Sequence, residues 1–126
     1  MGKRKITERN VTMKFIDSNH SQMLGKAMDA YALRQKMTAS NIANADTPGY
    51  KRHEVQFEQE LQKAQEGQGV SAMKNVNASI HETNNSVLLE DEMIEMADTQ
   101  IRVQVVTRSL RHHFSLLKNG ITGINR

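Results

Sequence analysis

Apolar residues fall along the chain in two long helical patterns separated by a more polar middle. The first covers residues 21–44. At about 100° per residue, Leu24, Ala27, Met28, Tyr31, Thr38, Ile42 and Ala45 share one sector of a helix. Met23, Ala30, Leu33 and Met37 occupy another side, so this helix is apolar on more than one face and calls for more than one neighbour. The second pattern, residues 87–119, is the stronger. Heptad spacing places Leu89, Met96, Val103, Leu110 and Leu117 at one core position, and Met93, Gln100, Thr107, Phe114 and Ile121 at the other. All but Gln100 and Thr107 are apolar, which is the pattern of a coiled-coil seam. Charge follows the helix direction. Glu90, Asp91, Glu92, Glu95 and Asp98 crowd its start, Arg102, Arg108, Arg111 and Lys118 follow, and no acid occurs after Asp98. That order complements the helix macrodipole.

Between the helices, Asp46-Thr47-Pro48-Gly49-Tyr50 marks a turn over residues 45–52. Pro48 disfavours helical geometry at Thr47, and Pro followed by Gly suits the two central positions of a type II turn. Residues 53–66, with Val55, Phe57, Leu61 and Ala64, fit a short helix or an extended arm. Residues 67–86 are rich in Gly, Ser, Asn and Gln and read as a mobile loop. Residues 1–20 read as a polar, flexible arm, with Met13 an alternative start of the chain. Together these features predict an all-α fold. It consists of two long N- and C-terminal helices packed as an antiparallel coiled-coil-like pair, a turn motif and a largely flexible middle, in one helical domain over residues 21–126. Two such helices cannot cover all their apolar faces alone; Ile94, Ala97 and Ile101 lie beside the C-terminal seam and are expected to stay exposed. Contiguous apolar surface implies partners.

Composition sharpens this picture. Aromatic residues are 4% of the chain and there is no Trp, so the apolar content is mostly aliphatic, with eight Met. Such residues suit helices and adaptable contacts. The absence of Cys excludes disulfides and thiolate metal sites. There is no apolar run long enough for a helical membrane span, and the basic N-terminal stretch lacks the h-region of a signal peptide. A formal net charge of +3 permits nucleic-acid binding without arguing for it.

Candidate chemistry is sparse. Asn41, Asn44, Asp46 and Thr47 offer too few oxygens for a hard cation and are better suited to helix termination. His112 and His113 point about 100° apart on a helix, without a third ligand at the next turn. The bases of the second helix scatter round its wheel, where a nucleic-acid helix would gather them in a stripe. Glu90, Glu92 and Glu95 suit a solvated helix start, and neither Ser40 nor Ser115 has a credible base. The sequence therefore predicts no catalytic residue, no cofactor and no metal.

The stretch Ser40-Asn41-Ile42-Ala43-Asn44-Ala45-Asp46-Thr47-Pro48-Gly49-Tyr50 resembles the N-terminal signature of the flagellar rod and hook protein family. Asn84-Asn85, Val87-Leu88-Leu89-Glu90, Glu92-Met93, Gln100-Ile101-Arg102 and Phe114-Ser115 are similar to the C-terminal half of one proximal-rod branch. One departure is Leu88, where the family tends to place a capping Asp. The resemblance covers residues 14–66 and 84–121. It implies a non-enzymatic structural subunit of the periplasmic rod, exported without a cleaved signal peptide through the flagellar type III export apparatus. The implied partners are other rod proteins, membrane-ring or adaptor proteins and further copies of the chain, with no nucleic acid and no membrane insertion. The alternatives are another axial rod protein or a small basic nucleic-acid-binding helix protein. Candidate assembly residues are Leu24, Met28, Tyr31 and Ile42 on the first helix. On the second they are Leu89, Met93, Met96, Val103, Leu110, Phe114 and Leu117.

Overall fold

The computed structural model describes residues 19–122, with side chains from Asn19 to Gly120. Most of the expected arm, Met13 and the Ile121 side chain lie outside these bounds. Helix α1 spans Asn19–Ala43. Strand β1 follows at His53–Gln56, then helix α2 at Glu58–Gln68 and a 3-10 turn at Val70–Asn75. Strand β2 at Ser79–Glu82 precedes the long helix α3, Leu89–Thr122.

Helix α1 ends where its sequence stops supporting it. The Asn44 amide still bonds to the Ser40 carbonyl at 3.1 Å, but Ala45 N–H reaches Ile42 at 3.3 Å, a tightened last turn. The Asn44 side-chain amide also donates to the Ser40 carbonyl at 2.8 Å. Pro48 and Gly49 then hold the centre of a turn closed by Tyr50 N–H to the Thr47 carbonyl at 3.2 Å. Gly49 has φ +76°, which a residue with a Cβ adopts only under strain.

The strands correct the all-α expectation. β1 and β2 pair antiparallel, with Val55 opposite Ile80 and His53 opposite Glu82. Arg52 extends the ladder, its N–H bonding to Asn85 and its carbonyl accepting from Thr83 at 2.8 Å. The physical reason is Phe57. In extended chain Val55 and Phe57 point to the same side, and both are buried. Residues 67–86, expected as loop throughout, therefore carry the 3-10 turn and a strand, and residues 53–66 are strand first and helix afterwards.

The apolar core is small and lies towards one end of the helix pair. Leu24, Ala27, Ala30 and Tyr31 of α1 cluster with Phe57 and with Val106 of α3. Met28, Leu61, Val76, Ala78, Val103 and Leu110 pack around them. Tyr31 and Phe57 meet edge to face at 6.2 Å, a favourable quadrupole arrangement. Towards the turn, the interior becomes polar: Arg34, Thr38 and Asn41 of α1, and Glu92 and Thr99 of α3, are all buried.

Candidate functional site

The polar interior is a clasp that ties the turn motif to α3. At its centre is Asn41, only 1% exposed. Its Oδ1 accepts from the His53 backbone N–H and from the Tyr50 hydroxyl, both at 3.0 Å. Its Nδ2 donates to the His53 carbonyl at 2.8 Å and to Glu92 Oε2 at 3.1 Å. Asn41 thus bonds both the donor and the acceptor of one β1 residue, as a neighbouring strand would. A flipped amide would set donor against donor at His53, so the network fixes its orientation.

Tyr50 extends the clasp. Because its hydroxyl hydrogen goes to Asn41, it accepts from Ser40 Oγ at 3.4 Å and from His53 Nδ1 at 3.3 Å. On the other side, Glu92 is fully buried and also accepts from Arg52 Nε, an ion pair within the interior. Burial works against the charge on Arg52, but hydrogen bonding and attraction from Glu92 prevail and raise its pKa.

A second cluster adjoins it. Arg34 grips Glu58 with two hydrogen bonds, 3.0 and 2.7 Å, and donates to the Val55 carbonyl at 3.1 Å. Its Nε lies 3.4 Å from Glu95 of α3, near enough for charge attraction but not aligned as a hydrogen bond. Its guanidinium also stands over the Tyr31 ring at 5.4 Å. The hydrogen bond to Glu58 is the main reason that the Arg34 pKa is raised. At Glu58, burial pushes the carboxyl up, but Arg34, aided by Arg102 at 3.2 Å, holds it below the usual carboxylate range. These pairs knit α1, α2 and α3 together beside β1.

The remaining motif residues are peripheral. Ser40, Ile42 and Asn44 are half-buried; Ala43, Asp46, Thr47, Pro48 and Gly49 are exposed. The candidate assembly residues divide sharply. Leu24 and Tyr31 are buried in this molecule's own core, and Met28, Val103 and Leu110 pack against it, while Leu117 is half-buried. Within the single chain Leu24 and Tyr31 thus lie in the interior, not on the surface. Leu89, Met93, Met96 and Phe114 remain exposed and form a flank of α3. The position of α3 that faces inward is instead Glu92, Thr99, Val106 and His113, spaced by sevens. Sequence reasoning missed this register because three of the four are polar. It also missed Arg34, Arg52 and Glu58. The signal available was the seven-residue spacing itself.

Among the described residues, no three His, Cys, Asp or Glu side chains are grouped to hold a metal ion, and no helix is long and apolar enough to cross a membrane. The open cleft beside the clasp, lined by Arg52, Asn85, Asp91 and Glu95 among others, is framed largely by polar and charged groups.

The family described as flagella basal body rod protein matches residues 22–51, which are most of α1 and the whole turn. The flagellar basal body rod protein FlgB of Bacillus subtilis is 30% identical over 121 residues, covering 81% of this chain and 92% of its own. FlgB of Borrelia hermsii is 29% identical, over 69% of this chain and 84% of its own. FlgB of Escherichia coli is 50% identical over 38 residues, covering 30% of this chain and 28% of its own.

Proposed function

The chain belongs to the FlgB family of flagellar basal body rod proteins, and from that premise we propose that it is a proximal-rod subunit which polymerises through its two terminal helices. It is a structural component of the basal body rod, not an enzyme. In this reading it transmits torque across the periplasm. It reaches that site through the flagellar type III export apparatus without a cleaved signal peptide. Its neighbours are other rod proteins, the membrane-ring or adaptor proteins and further copies of itself.

The observation that carries the reading is the uncovered flank of α3. Leu89, Met93, Met96 and Phe114 are 52%, 59%, 39% and 56% exposed. Removing such surface from water contributes about 25 cal/mol per Å2, and no element among the described residues covers it. Within the subunit the long helices run antiparallel. His20 lies by His113, Gln35 by Gln100 and Asn41 by Glu92, so numbers fall along α3 as they rise along α1. The clasp ties the turn to α3 through Asn41 and Glu92 and leaves Asp46–Gly49 exposed. The nucleic-acid alternative is disfavoured, since Arg34, Arg52 and Arg102 are engaged with carboxylates.

The test is substitution on the flank. Met93→Asp and Phe114→Asp alter exposed positions, so helicity by circular dichroism is expected to persist. Binding to the other rod proteins in a pull-down, and swimming of cells carrying either variant, are expected to be lost. Normal swimming with both variants would overturn the assignment of this flank.

A further inference from the structure

Helices α1 and α3 meet in layers. The rings of His20 and His113 lie 6.1 Å apart, Ala27 and Val106 share the apolar cluster, and Asn41 bonds to Glu92 at 3.1 Å. These layers are spaced by sevens on both helices, so the remaining one sets Arg34 against Thr99. Gln35 bonds to Gln100 at 3.2 Å beside it, which fixes the same alignment.

This layer holds the polar atoms that the protein does not match. Among the described residues, the buried side-chain polar atoms without a hydrogen-bond partner are Arg34 Nε and Thr99 Oγ1. Arg34 spends its two terminal nitrogens on Glu58 and the Val55 carbonyl. Its Nε remains, 3.4 Å from Glu95 Oε1 but not aligned with it. Thr99 is fully buried. On the same helix, Thr107 and Ser109 donate to the carbonyls four residues earlier, at 2.7 and 3.0 Å. Thr99 does not, so its hydroxyl is turned away from the bond its own helix offers.

We propose that a single water molecule binds in this layer, accepting from Arg34 Nε and bonded to Thr99 Oγ1 and Glu95 Oε1. The chemistry of the partners selects water. Arg34 Nε needs an acceptor, the Glu95 carboxylate needs a donor, and the Thr99 hydroxyl serves as either. A cation is repelled by the guanidinium. An anion is repelled by Glu58 and Glu95, which already match the charge on Arg34. A small neutral molecule that both donates and accepts, with three polar partners, meets the requirements of a buried water. It also has a route. Arg34 and Glu95 line an open cleft of about 340 Å3 together with Glu58, Asp98 and Arg102, so water reaches the layer from that side. The bridge makes Thr99 a positioning residue. It ties α3 to α1 and holds the guanidinium by the edge that Glu58 does not grip. The inference concerns the interior of one subunit and does not rest on the rod assignment.

Thr99→Val keeps the side chain's shape and removes its hydroxyl. A high-resolution map of the full-length chain, from crystals or an assembled form, is expected to show an ordered peak within hydrogen-bond reach of Arg34 Nε, Thr99 Oγ1 and Glu95 Oε1. In Thr99→Val that peak is expected to be lost. In solution, under conditions where α1 and α3 are helical by circular dichroism, the variant's urea midpoint is expected to fall, because Arg34 Nε loses its bridge. The sign separates the two situations. A buried hydroxyl that truly lacks a partner is a cost that valine removes, and the midpoint then rises. An unchanged or raised midpoint overturns the proposal. So does a map in which the Thr99 hydroxyl bonds directly to the Glu95 carbonyl or to Arg34 Nε, with no peak between.

Discussion

A side-chain amide offers two donors and two lone pairs, and at Asn41 all four are used inside the protein. No other side chain fits the place. Asp has the shape but not the donors, and Gln is one methylene too long for a site that is 1% exposed. Asn41→Asp would leave the His53 carbonyl without its donor and place a second carboxylate against buried Glu92. We expect a loss of about 3 kcal/mol in urea unfolding, the scale of a buried polar network left unpaired. A loss below about 0.5 kcal/mol, the usual range of a surface change, would mean that the clasp does not hold the turn. Thr99 marks the opposite situation, since its buried hydroxyl has no hydrogen-bond partner among the described residues. The polar interior is thus satisfied where it meets the turn and not along its whole length.

At the scale of elements, Phe57 decides how the middle of the chain folds. It is 1% exposed, touches Tyr31 and sits between β1 and α2, so it anchors both to the core. Phe57→Ala is expected to cost about 3–5 kcal/mol, as large-to-small changes in packed cores do. Hydrogen exchange should show β1, β2 and α2 losing protection before α1 and α3; uniform loss along the chain would contradict the anchoring. Helices α1 and α3 were legible in sequence because their apolar residues repeat every three or four positions over several turns. The turn was legible because Pro48 and Gly49 have few other uses. The sheet was not, because its strands are four residues each and their pairing joins segments far apart in sequence. A hydrophobic pattern carries no information about which distant segment a short strand meets. The inward register of α3 was legible only in part, through Val103 and Leu110, for a related reason. The apolar heptad positions do not all face inward, because Arg34, Arg52 and Asn41 reach Glu92 and Glu95 and draw a polar stripe to the interior. That leaves Met93 and Phe114 outside.

The whole molecule is held by two unlike devices, an apolar cluster around Leu24, Phe57 and Val106 and a set of ion pairs nearer the turn. The second makes the fold sensitive to acid. Arg34 and Arg102 hold the Glu58 carboxyl below its ordinary range against the opposing effect of burial. In the unfolded chain that carboxyl titrates near the usual value of about 4.3. As pH falls, the unfolded chain therefore takes up the proton first, and the balance moves towards unfolding. The stabilisation is present above the unfolded value and disappears as pH drops through the folded one. Urea midpoints are expected to be flat from about pH 7 to 5.5 and to fall below about pH 4.5. Glu58→Gln keeps the side chain's size, abolishes its titration and should flatten part of that fall, while lowering the midpoint at neutral pH because the charge on Arg34 loses its closest partner. An acid profile identical in wild type and Glu58→Gln would place the sensitivity in other carboxylates. If the loss does arise at Glu58, acid should loosen the α1–α2–α3 junction first and leave the Tyr31–Phe57 contact in place. A near-ultraviolet aromatic signal that outlasts the first drop in helicity would report that order.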